Sequence, residues 1–423
     1  MKSKIYISIQ KFIVAFILCL IAVPVSRYIS PRAIIDSNYV YLAWLPLSVT
    51  LAMMLLFGRH AILPIIISFA IVNEWLLSLP FNQAVILLFC QTFPVFAVCA
   101  MVRWKIGIRW RYGIPNKNMA LRIFWMGFVA PAGIKFSMYL AGKWFAFPVY
   151  LSSYFGSASV VYSIVDIQSL ICASLIFTMM FYYPLRMIVS PHYGRIFWRK
   201  SLKPCFSKKR RLFISLWVSS LISILTILCA PYHSDFVAGY LVPLIFILFT
   251  LGISKLSYPL IMLSWAVSAF VLAACNRNFL HGVNTEYSLA FVMSVLICFT
   301  ICLIYMTRVY HRSVWIRKRW RAQALTDPLT GLPNLRALEL HLEKNKNQTI
   351  CCFHMKNLEF LSRHYGMMMR IYFKRSVTHA LRPLLQPTEL LFQLPGSELL
   401  LVLEGSQAAD RLQDRKSTRL NSS

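Results

Sequence analysis

Acidic side chains are scarce in this sequence. Only 14 Asp and Glu stand against 44 Lys and Arg in 423 residues, and charged residues of both signs make up 14% of the chain. With 58% hydrophobic residues, that shortage excludes a soluble globular protein of ordinary make-up, because apolar runs long enough to cross a bilayer recur along most of the sequence. Metal-ligand spacing is missing too. The 11 cysteines show no CxxC or Cys/His pattern. Cys19, Cys90, Cys99, Cys172, Cys229 and Cys275 sit inside apolar runs, where they read as small hydrophobes in helices. Cys298 and Cys302 share a helix face with no His nearby, and they too read as packing. No small-residue cleavage site follows the first apolar run, so that run is a retained helix and not a signal peptide. The formal charge of +30 has no single basic amphipathic surface behind it. Lys and Arg cluster in loops between apolar runs, which argues against nucleic acid as a partner.

What is present is an α-helical polytopic membrane protein of roughly ten spans, at about 20 residues per crossing. The spans lie near 12–26, 38–57, 61–80, 83–102, 120–140, 160–183, 212–230, 238–254, 257–275 and 287–307. Pro46, Pro64, Pro94, Pro131, Pro243 and Pro259 fall inside them and mark kinks that neighbouring helices re-satisfy. Basic residues set the topology. Lys2, Lys4, Lys11, Arg59 and the basic residues within 103–122, 186–211 and 308–321 fall on one side, while the other side holds few, among them Arg27, Arg32, Lys143 and Arg277. The expected arrangement is a multi-pass protein of a bacterial inner membrane with both termini cytoplasmic and its basic loops against anionic lipid headgroups.

Ionisable residues inside spans are few and costly, so each is a functional candidate by default. Glu74, Lys135 and Asp166 fall at a shared depth in the outer third of the third, fifth and sixth spans. A cation between two carboxylates closes an inter-helical ion network or faces a cavity open to the outside. Asn73, Tyr162 and Gln168 lie close by in sequence. A ligand site and a purely structural network both fit this pattern.

Beyond the last span, residues 309–324 read as a short basic helix leaving the membrane, with Ile316, Trp320 and Ala324 at helical spacing. Its functional reading is a signalling helix that pairs with a second copy of the chain. Asp327-Pro328, Gly331 and Pro333 then break the chain, and Asn334 caps a helix faced by Leu335, Leu338 and Leu342. A strand at 349–355, helices over 357–385 interrupted at Gly366, and strands at 389–394 and 398–403 around a Pro395-Gly396-Ser397 turn complete the order. That order suits an α/β sheet with helices on one face.

The stretch ALTDPLTGLPNLRAL resembles the opening motif of GGDEF domains, the diguanylate cyclase family, whose usual form is D-x-L-T-G-L-x-N-R; Leu335 stands where that family has Arg. The resemblance implies a ferredoxin-like α/β fold over the last ninety or so residues before the tail, at 326–413. It also implies where the family's chemistry should lie. The two metal-binding Asp positions fall on His354 and Lys356, the acidic hairpin position on Ser397, and the guanine-reading positions on Ser362 and Arg363. Glu398 is the one carboxylate left. A cyclase needs carboxylates to hold divalent ions at the GTP phosphates, so the implied domain is degenerate and has no catalytic residue.

A membrane region at 1–307 that looks like a MASE-type sensor, a signalling helix at 308–325 and a degenerate GGDEF domain resemble the N-terminal half of enterobacterial cyclic di-GMP phosphodiesterases. That family ends in an EAL domain, which hydrolyses cyclic di-GMP to pGpG with divalent metal. No EAL motif follows Gly405, so no cofactor is expected in this chain. Residues 414–423, DRKSTRLNSS, resemble the in-frame translation of a common sequencing adapter, so the sequence is expected to be a fragment with an artefactual end. The alternatives are a stand-alone membrane sensor or scaffold with a pseudo-cyclase domain, and a transporter, although no inverted repeat is evident.

Overall fold

The computed structural model describes residues 2–35, 38–107, 118–148, 155, 160–231, 235–279, 285–343, 349–354, 358–385, 389–394 and 398–403. The chain divides into two compact units, Met1–His311 and Arg312–Ser423. The first unit runs α1 (Lys2–Tyr28), a small antiparallel pair β1 (Arg32–Ile35) and β2 (Asn38–Tyr41), α2 (Leu45–Phe57), α3 (Ile62–Ile71) and α4 (Phe81–Ile106). It continues through α5 (Met119–Trp144), α6 (Val160–Val189), α7 (Lys208–Cys229), α8 (Asp235–Gly252) and α9 (Tyr258–Ala274) and ends within α10 (Glu286–Ala324). Its surface is apolar and much of its polar content is inside. α1 turns Ile9, Ile13, Ile17 and Ile21 outward, and α4 does the same with Phe81, Val85, Phe89 and Phe93. Ser48, Thr50, Ser68, Asn73, Gln91, Ser169, Ser174 and Thr178 are buried. Such stripes would be insoluble in water but are at home against lipid tails, where helices associate through small and polar residues.

Among the described residues, seven helices are long and apolar enough to cross a membrane, and two shorter apolar helices, Tyr240–Gly252 and Tyr258–Ala274, accompany them. The sequence pattern of roughly ten spans differs from this number in the short helices and in the run Leu45–Glu74. That run is helical almost throughout, yet the rings of Trp44 and Phe69 meet at 5.9 Å. A straight helix would hold them roughly 37 Å apart. The chain therefore doubles back, and it does so at Gly58, whose φ of 59° and ψ of −129° suit glycine alone. A Cβ there would lie 2.7 Å from the Arg103 guanidinium, so the end of α2 meets the basic end of α4 at this corner.

Two further departures have local causes. α1 spans Lys2–Tyr28, longer at both ends than the expected 12–26, and passes through Pro24. Its end is tied to α2: the Leu45 amide donates to Ser30 Oγ at 3.1 Å, and that hydroxyl donates to the Ser26 carbonyl at 2.7 Å. The separate exit helix expected at 309–324 is the continuation of one 39-residue helix, α10, because no Gly or Pro interrupts the sequence from Glu286 to Ala324. Within α6 the carbonyl that opens the π turn Ala173–Phe177 is a shared acceptor: besides the Thr178 amide, Ala173 O takes hydrogen bonds from Ser48 Oγ at 2.7 Å and Thr178 Oγ1 at 3.3 Å. Cys298 and Cys302 are exposed on α10, so they do not pack inward as their spacing implied.

The second unit holds α11 (Leu335–Leu342), β3 (Thr349–His354), α12 (Leu358–Tyr365), α13 (Met367–Leu381), β4 (Leu390–Gln393) and β5 (Glu398–Leu403). The sheet order is β3-β5-β4, antiparallel throughout. Helices cover both of its faces, not one. Leu399, Leu401 and Leu403 pack with Val377 and Leu381 of α13, while Leu400 and Val402 pack with Leu338 and Leu342 of α11. The cause lies in β5, whose sequence ELLLVL does not alternate and so presents an apolar surface on each side of the pleat.

Candidate functional site

Lys135 of α5 and Asp166 of α6 form an ion pair, Nζ to Oδ2 at 2.5 Å, with side chains only 8% and 14% exposed. Glu74, the third charged residue that the sequence placed at this depth, is exposed, and no ion pair involves it among the described residues. The π turn Val72–Leu76 accounts for the difference, because its wider turn rotates the residues that follow α3. Asn73 faces inward instead, fully buried, and donates to Gln91 Oε1 at 3.4 Å.

The ion pair lines a cavity of about 80 Å³. Arg27, at the end of α1, brings a second cation to its wall, and Gln91 and Ser169 add polar groups. Tyr41, Trp44, Met138 and Phe155 are among the apolar residues that close it. The Ser169 side chain is 2% exposed overall and its hydroxyl has no hydrogen-bond partner. A donor left unsatisfied in such a place is rare, and it sits where an occupant of the cavity could accept from it. The sequence did not single out Arg27, which reads as an outer-loop charge, or Ser169 and Gln91, which read as minor polar interruptions of apolar runs. The signal that could have found them is depth: the C-terminal end of α1 and the N-terminal part of α6 reach the level of Lys135 under the same topology.

Gln168, between Asp166 and Ser169, connects this wall to α10. Its Nε2 donates to the Ala290 carbonyl at 3.1 Å and to Ser294 Oγ at 2.7 Å. A change at the cavity wall thus has a direct hydrogen-bonded route to the last helix of the unit. Replacing Gln168 with Leu should leave the cavity and its ion pair intact while loosening α6 from α10, at a cost of about 0.6–2 kcal/mol, as for other interhelical hydrogen bonds in membranes. Hydrogen exchange of the α10 amides checks this: protection around Ala290 and Ser294 should fall while protection of α5 stays unchanged.

In the second unit the Asp327 to Asn334 motif is a closed hydrogen-bonded loop. Asp327 Oδ1 accepts from the Leu329 amide at 3.0 Å, the Thr330 amide at 2.7 Å and the Thr330 hydroxyl at 2.8 Å. Gly331 takes φ of 71° to complete the turn. Asn334 caps α11 through the Ala337 amide at 3.1 Å and donates to the Ala324 carbonyl at 2.8 Å. Arg375 Nε donates to the Leu329 carbonyl at 2.6 Å and the Gln393 amide to the Pro333 carbonyl at 2.8 Å, so the loop fastens α13 and β4 together. Lys374 sits beside it, its ammonium held below the usual lysine range by burial first and by Arg370, with Asp327 opposing both. The motif's side chains are occupied in building the fold.

The positions aligned with cyclase chemistry are scattered. His354 ends β3 directly opposite Glu398 at the start of β5. Ser362 is half-buried and Arg363 exposed on α12. Lys356, Ser397 and the tail at 414–423 lie outside the described residues. No group of three or more His, Cys, Asp or Glu side chains gathers among the described residues.

A helical unit with lipid-facing stripes and a charged internal cavity defines a membrane sensor-like domain. Residues 13–313 match the MASE1 family, and the chain belongs to it. Over 406 residues it is 50% identical to "Probable cyclic di-GMP phosphodiesterase PdeA" of Escherichia coli (strain K12), an alignment covering 96% of this chain and 56% of that protein. It is 27% identical over 402 residues to "Cyclic di-GMP phosphodiesterase PdeF" of the same organism, covering 92% of this chain and 52% of that protein. The chain spans about half the length of the curated relatives it matches.

Proposed function

We propose that this chain is the sensory and relay part of a membrane-bound cyclic di-GMP signalling protein, and that the intact protein hydrolyses cyclic di-GMP. The observation that carries the reading is the 50% identity to PdeA across 96% of the chain, which extends past the membrane unit into the second one. The organisation we propose is a sensor at 1–307 with ten traverses and cytoplasmic ends in the bacterial inner membrane, a signalling helix at 308–325 able to pair with a second copy, and a degenerate GGDEF domain at 326–413. The reversal at Gly58 supports the larger number of traverses, because it divides one apparent span into two. The gathering of basic ends supports the orientation: Arg210 donates to the Lys255 carbonyl at 3.3 Å and Tyr310 to the Ser254 carbonyl at 3.1 Å, near the same end of the unit.

The degenerate domain follows from residue chemistry. His354, Lys356 and Ser397 stand where divalent ions would need carboxylates, Glu398 is left alone, and Ser362 and Arg363 replace the guanine-reading pair. Divalent metal belongs, in this reading, to a downstream phosphodiesterase domain. The experiment is to read the gene beyond residue 413 and purify the extended protein in lipid. An EAL reading frame and release of pGpG from cyclic di-GMP are expected, with no cyclic di-GMP made from GTP and Mg²⁺ by either the extended or the present chain. An in-frame stop, or cyclase turnover, would refute the proposal.

A further inference from the structure

We propose that the cavity between α1, α4, α5 and α6 binds a short-chain carboxylate, with its carboxyl end at Arg27, Lys135 and Ser169 and its alkyl end against Trp44, Met138 and Phe155. The assignment deepens the sensory reading above and rests on it for the reason that a ligand is there at all. Charge decides the sign of the ligand. Among the described residues the charged side chains on the wall are Arg27, Lys135 and Asp166, two basic to one acidic, which favours an anionic ligand over a cationic one.

The apolar walls decide its shape. An inorganic oxyanion such as phosphate presents oxygens on every side, and those facing Trp44, Met138 and Phe155 would be stripped of water with nothing in exchange. A carboxylate carries both oxygens at one end and hydrocarbon at the other, which suits a wall that offers both polar donors and apolar side chains. Volume sets the length. The cavity measures about 80 Å³. That is smaller than the cavity of about 150 Å³ that admits benzene, so the occupant has roughly two to four carbons. A lipid headgroup with its glycerol does not fit.

Ser169 is the most specific element. Its hydroxyl is buried and unpartnered, and a carboxylate oxygen is the acceptor it lacks. Asp166 and Ser169 flank Gln168, whose bonds to Ala290 and Ser294 would carry any adjustment of the α6 wall to α10.

The test is isothermal titration of acetate, propionate and butyrate into the purified full chain in lipid nanodiscs, paired with its melting temperature. Saturable heat with at least one acid and an upward melting shift are expected. Ser169→Ala should weaken that acid by about tenfold, the worth of one hydrogen bond to a charged group, without lowering the melting temperature of the unliganded chain. A purely structural serine predicts unchanged affinity, and that result would overturn the site. No binding of any of the three acids, or equal responses to phosphate or methylammonium, would overturn it as well. Binding is read on the chain itself and not through any downstream activity. A chain that binds while the extended protein's hydrolysis never responds refutes the sensory reading and leaves the site. Absence of binding with a normal signalling output does the opposite.

Discussion

Replacing Lys135 with Leu should cost the membrane unit about 3–5 kcal/mol, because it leaves the Asp166 carboxylate buried without its ion-pair partner. The pair is largely shielded, at 8% and 14% exposure, so solvent offers little compensation. Replacing both residues with Leu should recover most of the loss, since two apolar side chains of similar volume carry no desolvation penalty, and such exchanges are often neutral or stabilising by about 1–4 kcal/mol. Melting temperatures of the two variants in detergent check the pattern. A single variant that melts like the parent would mean that water already reaches Asp166. Glu74→Leu serves as the contrast: the residue is exposed and outside the pair, and its replacement should change stability little.

The second large effect lies in β5. Leu399→Ala should cost about 2–5 kcal/mol, the usual range for a core leucine. Val402→Asp, on the opposite face, should be at least as damaging, because it places a carboxylate among Leu338, Phe392 and Leu400. Were only one face covered, Val402→Asp would turn its charge to water and be tolerated. Protease resistance of residues 312–403 in the membrane-embedded chain distinguishes the two outcomes: both variants should be cleaved readily, the parent slowly.

Much of the second unit was readable in advance because its punctuation is strong. Gly366 and Asn334 sit where elements start or stop, and the described elements fall within a residue or two of the pattern. The two-sided sheet was misjudged although ELLLVL announces it, since a run of five apolar residues is as compatible with a buried helix as with a central strand. In the membrane unit the apolar runs revealed helices but not where they turn. One glycine at position 58 converts a long helical stretch into a hairpin, and hydropathy has no term for a backbone angle.

The candidate site was half legible. Lys135 and Asp166 stand out because charge is rare in spans, and they do pair. Glu74 stands out equally, but a π turn changes which side of the helix it occupies. Arg27, Ser169 and Gln91 were not singled out for this site, and their places in it arise only from which helices meet. The opening motif of the second unit teaches the converse. It is the most recognisable stretch of the chain, and its Asp327 and Asn334 are engaged in closing a loop, so its preservation speaks of architecture while His354 and Lys356 speak of lost chemistry.

The hairpin at Gly58 also bears on the lipid around it. α2 has 13 residues, and α3 with its π turn runs from 62 to 76. At 1.5 Å per residue these arms are roughly 20 Å and 22 Å long, against a hydrocarbon core of about 30 Å. Two such short arms side by side create a hydrophobic mismatch, which the bilayer relieves by thinning around the hairpin at a fraction of a kcal/mol per ångström. Trp44, at the start of the first arm, lines the cavity, so the membrane should dimple toward the site and shorten the path from water to its charged wall. Lipid chain length would then set how readily a small anion gains access: fast in thin bilayers, slow in thick ones.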